Sequence, residues 1–285
     1  MNKIIVLRTL ALTGIPLIMV ACGGGGSNVV GAAPIVHNYT GTSVTVAYSG
    51  ATLGNPTTID TGATYYETAN SNNILQSATF VAANGNTASF NVANGDTIVQ
   101  VSPGVNGFAN AAHTQSALTA WAPYFGWSYQ SFGVWTNGVG TGQVSAGSAG
   151  TSTLGASIPT TGSATFTGLA AGLFGNATAV YYATADMSAV TNFATRSIAF
   201  ATTNSVVSPT INGTYVSAGG LNLSGTLTYA AGTNNFNGTV NSSGYTTMTG
   251  DAGGRFYGPT AQEIGGVFAV KSGNYGYIGG FGGKR

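Results

Sequence analysis

The sequence predicts an all-β protein whose second half closes into an antiparallel barrel, and three observations carry that expectation. Only 5% of the 285 residues are charged while 45 are glycine, a supply that suits short strands and tight turns better than helical bundles. Asn-Gly pairs at 84–85 and 94–95 stand between alternating segments, a strong hairpin signal. In "LNLSGTLTY", Leu221, Leu223, Leu227 and Tyr229 fall on one face, and Asn222, Ser224, Thr226 and Thr228 on the other.

The first element in order is a targeting segment. Lys3 and Arg8 precede an apolar run from Thr9 to Val20, too short to span a bilayer, and residues 1–21 read as a secretory signal. Cys22, the only cysteine, follows Val20-Ala21 directly. That arrangement resembles the lipobox of bacterial lipoproteins, where the cysteine becomes the acylated first residue and several acyl chains hold the protein on a membrane. Gly23 after the cysteine resembles lipoproteins sent on to the outer membrane, and residues 22–33, with "GGGGS", read as a flexible tether. Without Lys3 and Arg8 the chain keeps five cations and six acids, a net charge of −1. Cations this few and scattered make nucleic acid an unsuitable partner.

From 34 to 123, strands are expected at "SVTVAYS" (43–49), "LQSATFVA" (75–82), "TASFNVA" (87–93) and "DTIVQV" (96–101), the middle pairs joined by Asn-Gly turns. At 108–123 the pattern changes to "FANAAHTQSALTAWAP", which predicts at least one helical turn ended by Pro123 and marks the junction between halves. From 124 to 285 the expected strands are "WSYQSFGVW", "SATFTG", "YYATADM", "TRSIAFA", "LNLSGTLTY", "NFNGTVN", "TTMTG", and the hairpin of "VFAV" with "YGYIGGFG". Eight or nine antiparallel strands are most stable when closed, because closure removes exposed edges.

Four segments in this order carry a resemblance: "YQSFGVW" (129–135), "IPTTGSATFTG" (158–168), "RFYGPTAQEIGGVF" (255–268) and "GGFGGKR" (279–285). Together they resemble the C-terminal barrel domain of transferrin-binding protein B and its smaller solute-binding relatives. The resemblance implies a β-rich handle, residues 34–123, followed by an eight-stranded antiparallel barrel, residues 124–285. It also implies a non-catalytic surface lipoprotein that binds a host iron carrier or a small solute such as haem. Relatives that bind complement factor H imply an alternative, host-protein binding for immune evasion. A structural or adhesive surface protein without a discrete ligand is the third reading.

Enzyme chemistry lacks its parts. The mature chain holds His37 and His113, no thiol after lipidation, and no zinc-protease, nucleophile-elbow or paired-cysteine motif. The terminal "GGFGGK" departs from a P-loop at Ile278 and Arg285. Glu263, between the Gly258-Pro259 turn and Gly265-Gly266, reads as a structural corner. Pro259 is expected to open a short helical turn whose N–H groups reach that acid, and the glycine pair to bend the chain into the last strands. The aromatic group that includes Trp121, Tyr124 and Trp127 has two readings, core packing or a ligand-facing wall at the domain junction. His113 upstream of it is either an ordinary surface histidine or an axial haem ligand. His37 suits that role less, lying close to the tether, where a ligand would be poorly pre-organised.

Overall fold

The computed structural model describes residues 35–72, 74–102, 104–120, 127–244 and 247–285. The expected signal peptide, Cys22, the tether, Trp121 and Tyr124 lie outside the described residues. The fold is all-β, built from two antiparallel sheets whose strands alternate inward and outward side chains.

The first sheet uses β1 (Ile35–Ser49), β2 (Thr52–Pro56), β3 (Asp60–Ala69), β4 (Leu75–Val81), β5 (Thr87–Asn91), β6 (Thr97–Ser102), β7 (Val105–Ala109), β8 (Gln115–Ala120), β9 (Gln130–Val139) and β10 (Thr141–Gly150). Its order is β5-β4-β3-β1-β10-β9-β8-β7-β6, with β2 added on β1. The sheet curls until its two ends nearly meet. Across that seam the Ser89 N–H donates to Gln115 Oε1 at 3.0 Å, so a side chain satisfies the outer edge of β5. Inside, Tyr65, Phe80, Phe90, Phe108 and Trp135 form an aromatic core, with Phe80 edge-on to Phe108 at 5.6 Å between ring centres.

The second sheet begins at β11 (Ser163–Gly175) and continues through β12 (Val180–Asn192), β13 (Ser197–Ser208) and the short β14 (Val216–Ser217). It is completed by β15 (Leu223–Tyr229), β16 (Asn235–Ser242), β17 (Thr249–Tyr257), β18 (Glu263–Ser272) and β19 (Tyr275–Lys284). Pairing of β12 with β13 closes eight of these strands into a barrel, and β14 stays outside the ring. The alternation read from 221–240 holds, since Leu221, Leu223, Leu227, Phe236 and Val240 all point into the barrel core. Phe166, Phe200, Phe256, Phe268 and Phe281 fill the rest of that interior. The barrel is thus packed with side chains, as small barrels are.

Four expectations are corrected. The helical turn expected within 108–123 is not found in its described part, 108–120, where β7 and β8 pair through a tight turn. Asn110 Oδ1 accepts from the N–H groups of Thr114 and Gln115, an Asx-type turn that outcompetes the modest helix preference of the alanines. Asn94-Gly95 does not join a hairpin: Gly95 at φ 85° closes a 3-10 turn, and β5 and β6 lie at opposite ends of the sheet order. "WSYQSFGVW" does not enter the barrel, because β9 pairs with β8 and β10 in the first sheet. The chain therefore passes between sheets at residues 151–162, not near 124. Finally, His37, expected to be poorly pre-organised beside the tether, is held within β1 opposite Glu67 of β3.

Candidate ligand cleft at the sheet junction

The two sheets pack through an apolar layer. Val44, Val46, Val134 and Val144 of the first sheet meet Leu173, Val267, Ala269 and Ile278 on the outside of the barrel. At one end this layer opens into a cleft of about 610 Å³, within the size range of small-molecule sites. Leu53, Val144 and Leu173 line it as buried apolar surface, and Tyr48, Ser116, Thr136 and Tyr182 supply hydroxyls.

Tight turns form the rim. His113 sits at φ 53° and Ala177 at φ 72°, a left-handed conformation that strains non-glycine residues. The turns are tied together: Gly50 N–H donates to Gly140 O at 2.6 Å, and Gly138 N–H to Thr114 O at 2.9 Å. In the walls, Tyr48 donates to Gly138 O at 2.7 Å and Tyr182 to Ser116 Oγ at 2.9 Å. Burial raises both phenol pKa values, and the neighbouring Tyr182 adds to the rise at Tyr48.

His113 lines this cleft with its side chain exposed, so the histidine and the junction cavity are brought together. The aromatic partner expected beside it is not there. Trp127 is 4% exposed, edge-on to Phe132 at 5.2 Å, and packs with Ala120 and Leu169 away from the cleft. Lys284 Nζ lies 5.9 Å from its ring centre. Core packing is its role, and Tyr48 and Tyr182 are the aromatics at the cleft. No periodicity links those two tyrosines to a common site; only the pairing of β1 with β10, and the packing of β12 beside it, does.

Glu263 is a structural corner, but not as expected. It accepts from Ser128 N–H at 2.7 Å and Tyr129 N–H at 3.2 Å, both on the segment entering β9. The turn at 258–261 is not helical: Gly258 and Ala261 take positive φ, and Pro259 is exposed. Gly265 and Gly266 lie within β18 and do not bend it. A Cβ at Gly265 would collide with Gln130 Oε1 of the first sheet, and one at Gly266 with Phe281 at 2.8 Å inside the barrel. Burial pushes the Glu263 carboxyl above its ordinary value, against the pull of the two N–H donors, Lys284 and Gln130.

A second buried acid escaped the sequence. Glu67 is fully buried and accepts from Ser131 Oγ at 3.0 Å. Burial, then Glu67 and Glu263, push the nearby Tyr39 phenol up to about 12. His37 Nδ1 lies 3.0 Å from that phenol, and burial lowers the His37 pKa. Among the described residues no cluster of His, Cys, Asp or Glu has the composition of a metal site.

The family model for the C-lobe and N-lobe beta barrels of Tf-binding protein B matches residues 158–285, the segment that enters and forms the second sheet. Of the four resembling segments, "YQSFGVW" lies outside that match and in the first sheet. Solved structures similar in outline include a transferrin binding protein B mutant from Haemophilus parasuis Hp5, at 18% identity and TM-score 0.48, covering 78% of this chain and 51% of that one. The isotype 1 transferrin binding protein B of serogroup B Neisseria meningitidis matches at 12% identity and TM-score 0.41, over 88% and 76% of the two chains. A surface lipoprotein matches at 11% and 0.42, over 85% and 98%. This chain spans about half the length of the first of these structures. No curated protein matches the chain.

Proposed function

We propose, on the premise that residues 158–285 are a barrel of the transferrin-binding protein B family, that this chain is a non-catalytic binding protein displayed on the outer membrane by a lipid on Cys22. Its ligand is nutrient-related, and the observation that carries a small-solute reading is the junction cleft with His113 on its rim. The barrel interior is packed, so the cleft, and not the barrel lumen, has room for a solute.

Haem is the first solute to test. The cleft offers apolar walls for a macrocycle, and His113 is exposed beside them. Haem supplies an iron whose axial position a histidine nitrogen fills. Among the described residues no Lys or Arg lines the cleft, so the propionates would remain in solvent. Titrating haem into the soluble, non-lipidated chain should give a saturable Soret shift, weakened at least about tenfold by His113→Ala, the loss of one coordinating contact. No saturable shift in the parent rejects haem, and equal shifts reject His113 as its ligand.

The family model favours a second reading, capture of a host iron carrier. Pull-down of serum transferrin by the immobilised chain tests it, and a complement regulator in the same format tests the immune-evasion alternative. If neither protein is retained and no solute binds, the structural or adhesive reading is left.

A further inference from the structure

The walls of the junction cleft carry information about the ligand beyond its size. Among the described residues, His113 on the rim apart, no carboxylate, lysine or arginine lines it; the lining is aliphatic and phenol carbon, backbone, hydroxyl and amide. A charged group brought inside would lose its hydration with no opposite charge to replace it, at a cost of several kcal/mol. The buried part of a ligand is therefore uncharged.

The hydroxyls narrow the class further. Tyr48 gives its hydrogen to Gly138 O, and Tyr182 gives its hydrogen to Ser116 Oγ. Ser116 Oγ and Thr136 Oγ1 lie 2.8 Å apart, and Thr136 Oγ1 donates to Ser116 O at 3.4 Å. Either of these two hydroxyls can donate to the other, whereas both phenol hydrogens are used within the protein. A phenol oxygen that donates once keeps lone pairs. What the two tyrosines still offer is acceptance.

The rim is already formed. Hydrogen bonds tie the turn at Gly50 to that at Gly140, and the turn at Gly138 to that at Thr114. Across the cleft, Asn176 Oδ1 accepts from Thr178 N–H and Ala179 N–H at 3.1 and 2.9 Å, holding the barrel-side turn. Entry does not require ordering these segments, which lowers the entropic cost of binding.

We infer that the junction cleft binds an uncharged, largely apolar molecule that carries a hydrogen-bond donor accepted by Tyr48 or Tyr182, a class that 2-naphthol represents. This rests on the cleft being the binding site and names the chemistry it selects. Affinity resides in the walls.

The test uses the soluble full chain with 2-naphthol, its anionic counterpart 2-naphthoate, and 2-methoxynaphthalene, which lacks the donor, each followed by calorimetric titration. The expected result is saturable binding of 2-naphthol, with each of the other two weaker by about tenfold or more, as an unmatched charge or a missing hydrogen bond implies. Val180→Trp, at a half-buried wall position, and Leu173→Trp should each abolish 2-naphthol binding. Val180→Trp is the variant read if Leu173→Trp fails to fold. Equal affinity for 2-naphthoate, equal affinity for 2-methoxynaphthalene, or binding indifferent to Val180→Trp would each overturn the inference. The two levels separate cleanly. A haem shift lost in Val180→Trp without any 2-naphthol binding keeps the site and rejects this ligand class. Absence of both rejects the cleft as a small-ligand site.

Discussion

Removing the Glu263 side chain tests the joint between the sheets. The carboxylate is 2% exposed and accepts from Ser128 N–H at 2.7 Å and Tyr129 N–H at 3.2 Å, tying the first turn of β18 to the segment that enters β9. In Glu263→Ala both donors lose their acceptor. Ser128 is exposed, so water can rescue its N–H, whereas Tyr129 is half-buried and bears most of the loss. The expected cost is about 2–3 kcal/mol, or a midpoint lower by about 5–10 °C for a chain of this size. Glu263→Gln keeps one oxygen and the shape of the neutral acid, and should stay within about 1 kcal/mol of the parent. The pH dependence has a definite sign. Burial raises the folded carboxyl above its unfolded value of about 4.3, so between the two values the folded protein holds a proton that the unfolded chain has released. Stability contributed by this group therefore falls as pH rises through that window. Urea denaturation of parent and Glu263→Gln at pH 4 and pH 7 isolates it, since the other acids cancel in the difference. The parent should gain on the variant as pH falls. A gain with rising pH would show that the N–H donors outweigh burial, and a cost below about 0.5 kcal/mol for Glu263→Ala would remove it as a joint.

Three further outcomes are expected. Gly280→Ala would put a Cβ 2.6 Å from Gly133 N, 2.7 Å from Gly147 O and 2.8 Å from Gly133 O, all backbone, and should cost about 1–3 kcal/mol by urea denaturation, whereas an unchanged midpoint would mean the sheets part freely. A fragment of residues 158–285 should keep a β-type circular dichroism spectrum but unfold at a lower temperature than the full chain and self-associate in sedimentation, because Leu173, Val267 and Ile278 lose their cover; equal stability would refute the joint core. Cys22→Ala should abolish acyl labelling and release the chain from membrane fractions, and unchanged retention would refute lipid anchoring.

Period-two alternation made most strands legible, from 43–49 and 75–82 in the first sheet to 221–240 in the barrel. It failed where local chemistry had two solutions. Asn-Gly at 84–85 turns a hairpin and Asn-Gly at 94–95 does not, because the partners of β5 and β6 are chosen by sheet closure. The cleft was legible only as His113 near a junction. Tyr48 and Tyr182 are 134 residues apart and meet because two sheets pack, a relation no local window contains. Glu67 lies in β3, a strand not among those expected, and its burial beside Ser131 comes from the curl of the sheet.

The four resembling segments are best understood through the same joint. Tyr129 lies against Gly258, Gln130 Nε2 donates to Ile264 O at 2.9 Å, Phe132 packs on Gly282, and Gly133 faces Gly280. From the barrel side, Tyr257 donates to Ser148 O at 3.0 Å and Gly265 leaves room for Gln130. Thus "YQSFGVW", "RFYGPTAQEIGGVF" and "GGFGGKR" interlock with one another, while Ile158 and Phe166 of the remaining segment pack in the barrel core. At Gly280 the two sheets approach backbone to backbone, where a Cβ has no space, and Gly258, Gly265 and Gly282 make room for the side chains of Tyr129, Gln130 and Phe132. The motifs therefore specify how a first sheet docks on a barrel, and they leave the ligand unspecified. Among the described residues, those lining the candidate cleft, Tyr48, His113 and Tyr182 included, lie outside these four segments, so the segments themselves do not describe it.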